Sequence, residues 1–221
     1  MPSLGEAPPL VLASSSPARQ KLLQDAGIRF SVMVSAVDED AVLAQAQQQA
    51  TARGESAISP AATAQLLATA KAREIAGRPE SRGALVLGCD SVFELDGVAY
   101  GKPHTADNAR ERIRAMSGNT GVLHTGHCLI DCRAKEPSEA TELRSASVHF
   151  DELSEQDIAE YVATEEPLWV AGSFTIDGFG AAFIKGIDGE FHTVVGLSVN
   201  ALRHMLARHG LQLPIFWTNP A

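Results

Sequence analysis

Leu10-Val11-Leu12-Ala13-Ser14-Ser15-Ser16-Pro17-Ala18-Arg19 is an apolar run that stops abruptly at three hydroxyl residues and a proline. The run suits a buried strand. Ser16 followed by Pro17 marks a helix start, since serine caps free amides and proline in the first helical position loses only an N–H that the helix could not have used. The unsatisfied amides and positive dipole end of that helix, beside spare serine hydroxyls and Arg19, form an anion site suited to phosphate. Plain helix capping is the other use of the same residues.

A second cluster lies downstream. Ala84–Leu87 reads as a short buried strand ending in Gly88-Cys89-Asp90-Ser91, which places Asp90 where a strand meets open space. Asp96-Gly97 is a strong hairpin signal, and the return through Val98-Ala99-Tyr100 carries Lys102 back towards Asp90. Such a pair is either a surface ion pair or, next to a phosphate site, a metal ligand or base with a phosphate clamp.

The rest of the chain alternates helices and strands, an α/β pattern. Strands are expected at 10–14, 29–34, 121–131 and 143–150. Helices are expected at 17–26, closed by Gly27; at 60–76, capped by Ser59 and closed by Gly77; from Thr105 to Met116; at 155–163, with Ser154 and Asp157 as a capping box; and around 197–208. The Ala- and Gln-rich segment 41–59 reads as a further helix with a loop, or as a mobile flap. Residues 1–9 are expected to be a flexible N-terminus, 10–210 one catalytic domain and 211–221 a C-terminal tail.

With 221 residues, 45% of them hydrophobic, the chain can bury a full core without a second domain. A net charge of −9 argues against nucleic acid as partner, since that binding rests on a basic face, whereas a small anion needs only a local positive pocket. No basic start precedes an apolar stretch and no run is long enough to span a bilayer, so a cytoplasmic protein without a membrane partner is expected. Cys89, Cys128 and Cys132 lack zinc or redox spacing and read as reduced, buried thiols. His124 and His127 fall on opposite faces of one strand, and His204 and His209 miss helical spacing. No Walker-type phosphate loop occurs.

Together these segments resemble the Maf family of nucleoside triphosphate pyrophosphatases, from about Leu10 to Leu206. The family's Ser-x-Ser-Pro-Arg-Arg element is matched by Ser14, Ser16, Pro17 and Arg19, with Ala18 in place of the first arginine. Its acidic pair is matched by Asp38-Glu39, its helix lysine by Lys71, its Gly-Ala-Asp-Thr by Gly88-Cys89-Asp90-Ser91 and its Lys-Pro by Lys102-Pro103. Met116-Ser117-Gly118, Ala171-Gly172-Ser173-Phe174 and Val195-Gly196-Leu197-Ser198 resemble its later motifs.

The resemblance implies a mixed β-sheet with flanking helices, in two lobes around a central cleft (Maf/ITPase-like). It also implies metal-assisted attack of water on the α-phosphorus of a nucleoside triphosphate, with magnesium or manganese as cofactor. Asp90 is then the base or a metal-bound carboxylate and Glu39 the second metal ligand, with Asp38 its rival. Arg19, Lys71 and Lys102 hold phosphates, helped by Ser14 and Ser16. A homodimer is what the family suggests. A nucleotide-binding regulator of cell division that uses the same pocket without turnover is the competing function.

Read without the family, Lys71 is equally a solvated helix residue, and Asp38-Glu39-Asp40 an exposed acidic loop. Family specificity positions map to Ala18, Ser91 and Asp177. Members preferring dTTP and UTP carry glutamine where this chain has Asp177. A carboxylate only accepts and so better matches the adjacent donors of a guanine-type base, including 7-methyl-GTP. The other reading is that Asp177 caps the Gly178 turn.

Overall fold

Cross-strand pairing along one long strand organises the molecule, a computed structural model that describes residues 7–218. β1 (Leu10–Leu12) lies between β2 (Ser31–Val32) and β3 (Leu85–Leu95), parallel to both. β3 continues well past the end of β1. It pairs with the hairpin strand β4 (Val98–Tyr100) at its far end and, on its other edge, with β5 (Thr120–Asp131). β6 (Ser138–Phe150) and β7 (Ile184–Asp188) complete a mixed seven-stranded sheet in the order β2-β1-β3-β5-β6-β7, with β4 beside β3.

The helices are α1 (Pro17–Asp25), α2 (Glu39–Ala52), α3 (Pro60–Ala76), α4 (Ala106–Met116), α5 (Glu155–Ala163), α6 (Phe191–Val195) and α7 (Val199–Arg208). The expected caps form: Ser16, Ser59 and Thr105 each accept a backbone amide, and Ser154 with Asp157 makes the reciprocal capping box. Both Asp96 and Gly97 have positive φ, as a two-residue hairpin turn requires. Segment 41–59 is a helix followed by a loop, with Asp38 capping α2.

Leu10, Leu12, Leu85, Leu87 and Leu129 meet Leu22 and Leu23 of α1 and Leu202, Met205 and Leu206 of α7 on one sheet face. Val11, Val86, Cys128 and Ile130 meet Ala72 and Ile75 of α3 on the other. A separate core, built on Phe93, Leu123, Val148 and Phe150, packs against α4 and α5. All three cysteines are free and buried.

One expectation is corrected. The strand near 84–87 does not end before Asp90: β3 runs unbroken to Leu95, because β5 pairs with it along that whole length. The opening beside Asp90 arises instead where β1 stops, leaving Gly88–Val92 with no paired strand on that edge among the described residues until β4 begins opposite Phe93. The helix expected around 197–208 forms as α7, and the short α6 precedes it across Gly196, which has a left-handed conformation at φ 119°. Within the segment 211–218, Leu213 and Phe216 are buried, and the Phe216 carbonyl accepts the Arg29 amide. Residues 1–6 of the expected flexible N-terminus lie outside the described residues.

Candidate functional site

The unpaired edge of β3 between β1 and β4 gathers side chains from four elements. α3 crosses the sheet over glycines. A Cβ at Gly88 would stand 2.3 Å from the Ala68 carbonyl oxygen, and one at Gly126 would stand 2.5 Å from that of Ala64. This close approach drops Lys71 of α3 onto Asp90, whose Oδ1 accepts from Lys71 Nζ at 2.6 Å. The same ammonium lies 2.8 Å from Oε1 of Glu39 at the start of α2, so it bridges two carboxylates. Lys71 is therefore not a solvated helix residue, since its side chain is only 14% exposed. Asp38 does not join this cluster: its Oδ1 caps α2 by accepting the Ala41 amide.

Burial disfavours the charged form of Asp90 and raises its pKa above the ordinary aspartate value. Lys71 and Arg19 oppose that rise, and Glu39 adds to it.

Arg19, on the first turn of α1, projects to the same edge. Its Nε donates to the Gly196 carbonyl at 2.7 Å, one terminal nitrogen to Ser14 Oγ at 3.1 Å and the other to Ser91 Oγ at 3.0 Å. Ser14 is thus not a spare hydroxyl: it accepts from Arg19 and from the Ser16 amide. Ser16 Oγ caps α1 by accepting the Arg19 amide. Ser91 also contacts Thr125 Oγ1, which donates to the Thr193 carbonyl at 2.8 Å.

Thr125 is fully buried and was not a sequence candidate. Its signal was present, as a hydroxyl on the inward face of a strand whose neighbours on that face are Leu123, His127 and Leu129. His124 and His127 do occupy opposite faces. His124 meets Glu94 and Ser145, whereas buried His127 bonds to the Ser198 amide and the Glu142 carbonyl.

Lys102 is exposed and makes no ion pair or hydrogen bond among the described residues; it lies two positions beyond Tyr100, the last residue paired with β3. Asp177 is exposed and likewise makes no hydrogen bond among the described residues. The amides of Phe179 and Gly180, which a cap on that turn would take, bond instead to Glu166. Ala18 is half-buried beside Arg19 on α1. Among the described residues no group of three or more His, Cys, Asp or Glu could hold a metal ion, and no helix is long and apolar enough to cross a membrane.

Residues 9–209 match the family model described as Maf-like protein. The chain is 47% identical over 209 residues to the nucleoside triphosphate pyrophosphatase of Streptomyces avermitilis, covering 95% of this chain and 94% of the relative. It is 48% identical to the one from Streptomyces coelicolor, with 94% of each chain covered. A Nostoc punctiforme protein of that name is 40% identical, over 95% of this chain and 98% of its own length. The match therefore takes in every residue of the β3 edge cluster, and the chain belongs to the Maf family.

Proposed function

We propose that this protein hydrolyses nucleoside triphosphates to the nucleoside monophosphate and pyrophosphate. The observation that carries the reading is the chain Glu39–Lys71–Asp90 standing beside the Arg19–Ser14–Ser91 cluster at one open strand edge. Pure anion binding has no need of two carboxylates at that place, since they repel phosphate. The names carried by the relatives point the same way.

In the proposed reaction the oxygen of water bonds to the α-phosphorus while the bond from that phosphorus to the bridging oxygen breaks, and pyrophosphate leaves with that oxygen. The proton from water passes to Asp90, for which a carboxyl held above its ordinary pKa is a stronger base. Lys71 neutralises Asp90 and Glu39, which would otherwise repel the incoming polyanion. Arg19 is oriented by three acceptors before substrate arrives, and its remaining N–H groups are available to phosphate oxygens. Lys102 completes the phosphate clamp from the hairpin return.

A magnesium or manganese ion fits this donor set. Asp90 and Glu39 supply two hard carboxylate oxygens, both paired with the Lys71 ammonium, and such ions are commonly held by one or two carboxylates together with substrate phosphates. When bound, it would supply charge neutralisation at phosphate and acidify water.

For the base, Asp177, exposed and without a hydrogen-bond partner among the described residues, supports a preference for guanine-type nucleotides, including 7-methyl-GTP, over UTP and dTTP.

The test is release of pyrophosphate from a nucleotide panel with magnesium or manganese. One nucleotide bound tightly with none hydrolysed would replace the enzyme by the regulator. Base preference is read from kcat/KM for 7-methyl-GTP, GTP, UTP and dTTP in the parent and in Asp177→Gln. A parent that favours UTP and dTTP, or an unchanged ranking in the variant, overturns the guanine-type assignment.

A further inference from the structure

We infer that Glu166, which none of the motifs considered above includes, is a positioning residue that sets base discrimination by clamping the arch Thr175–Gly180; this deepens the proposed function and rests on it. Four donors from the two feet of the arch and from α5 converge on the one carboxylate. Oε1 accepts from Thr175 Oγ1 at 2.5 Å, from the Gly180 amide at 3.0 Å and from Tyr161 Oη at 3.0 Å, while Oε2 accepts from the Phe179 amide at 3.0 Å. Tyr161 Oη in turn accepts the Thr175 amide at 3.2 Å.

The arch has few other supports. Among the described residues, Thr175, Ile176 and Asp177 make no hydrogen bond from backbone to backbone, and Gly178 makes one, its carbonyl taking the Ala181 amide at the start of the 3-10 helix Phe179–Phe183. Two glycines make room for the clamp, since a Cβ at Gly178 would stand 2.3 Å from Glu166 Oε2 and one at Gly180 would stand 2.5 Å from Tyr161 Oη. Glu166 is itself held firmly, between Glu165 in a left-handed conformation at φ 62° and buried Pro167. Burial works against its charge, but the hydrogen bonds from Thr175, Phe179, Gly180 and Tyr161 outweigh it and keep the carboxyl below its ordinary range.

Ile176, Asp177 and Gly178 therefore span two pinned feet, and Asp177 stands exposed at the crest. A pinned crest presents its carboxylate in one place, whereas a loose one meets every base alike.

The test compares Glu166→Gln and Tyr161→Phe with the parent. The amide nitrogen of glutamine opposes the donors that the carboxylate accepts, and phenylalanine keeps the ring packing while removing one link. KM for the preferred nucleotide should rise about tenfold in Glu166→Gln and severalfold in Tyr161→Phe, and the kcat/KM ranking across 7-methyl-GTP, GTP, UTP and dTTP should flatten. Inhibition by inorganic tripolyphosphate, which has no base, should stay within about twofold.

The role is overturned if the ranking persists in either folded variant, if tripolyphosphate inhibition weakens in step with KM, or if the parent itself shows no ranking. Should Glu166→Gln flatten the ranking while Asp177→Gln leaves it intact, Asp177 fails as the reader and the clamp stands, acting through another atom of the arch.

Discussion

The hydroxyl oxygens of Ser91 and Thr125 lie 3.0 Å apart, and only one direction is open to the hydrogen bond between them. Thr125 spends its single proton on the Thr193 carbonyl, so Ser91 must donate to Thr125. The Ser91 lone pairs are then free to accept from Arg19. A buried threonine thus orients an arginine that it does not touch.

Thr125→Val keeps the shape and removes the acceptor. It is expected to lower kcat/KM about fivefold, mainly through KM, because a net hydrogen bond in such a network is worth about 1 kcal/mol. Arg19→Ala is expected to do more in the same direction. Steady-state kinetics check both, and equal kinetics in Thr125→Val and the parent would remove the relay from Arg19 positioning.

Asp90→Asn should lower kcat by ~10²–10⁴-fold, the usual worth of a general base, in a protein that still folds. In the parent, the acid limb of kcat/KM should fall above the ordinary aspartate range, since burial raises the folded pKa. Activity is lost as pH drops through that raised value, because protonated Asp90 cannot accept a proton. A limb near pH 4, or near-normal turnover in folded Asp90→Asn, would take the base role from Asp90.

His127 gives a separate dependence on pH, in stability. Burial pushes its pKa down from 6.5 to about 4, and acceptance of the Ser198 amide at Nε2 requires the neutral ring. The unfolded chain takes up a proton near pH 6.5 and the folded one does not until about pH 4, so stability falls as pH drops through that window. The loss should be on the order of 3 kcal/mol. Thermal melts between pH 7 and 4 should show it, and His127→Gln should flatten the slope; parallel slopes would exclude His127 as its source.

Gly88→Ala should be among the costliest single-methyl changes in the chain. The added carbon meets the Ala68 backbone, which cannot yield without moving α3. About 1–3 kcal/mol of stability should be lost, with turnover falling further as Lys71 leaves Asp90. Denaturant unfolding and kinetics on the same variant check this, and an unchanged midpoint would show that α3 has slack.

The strand–serine–proline junction, the caps at Ser16, Ser59, Thr105 and Ser154 and the Asp96-Gly97 hairpin were legible because each is decided by residues within a turn of one another. The candidate residues Arg19, Glu39, Lys71, Asp90 and Lys102 were legible by motif order. Their arrangement was not. The sequence by itself determined the alternation of strands and helices and the residue types at the open edge of β3. Tertiary structure alone decided that β3 passes Asp90 without stopping and that Asp38 caps while Glu39 pairs. The Thr125 and Glu166 networks, too, joined residues that no local pattern links. The physical reason is range: capping and turn chemistry act over three or four residues, whereas pairing partners, close helix approach over Gly88 and Gly126 and hydrogen bonds between distant side chains depend on what the folded chain brings into contact.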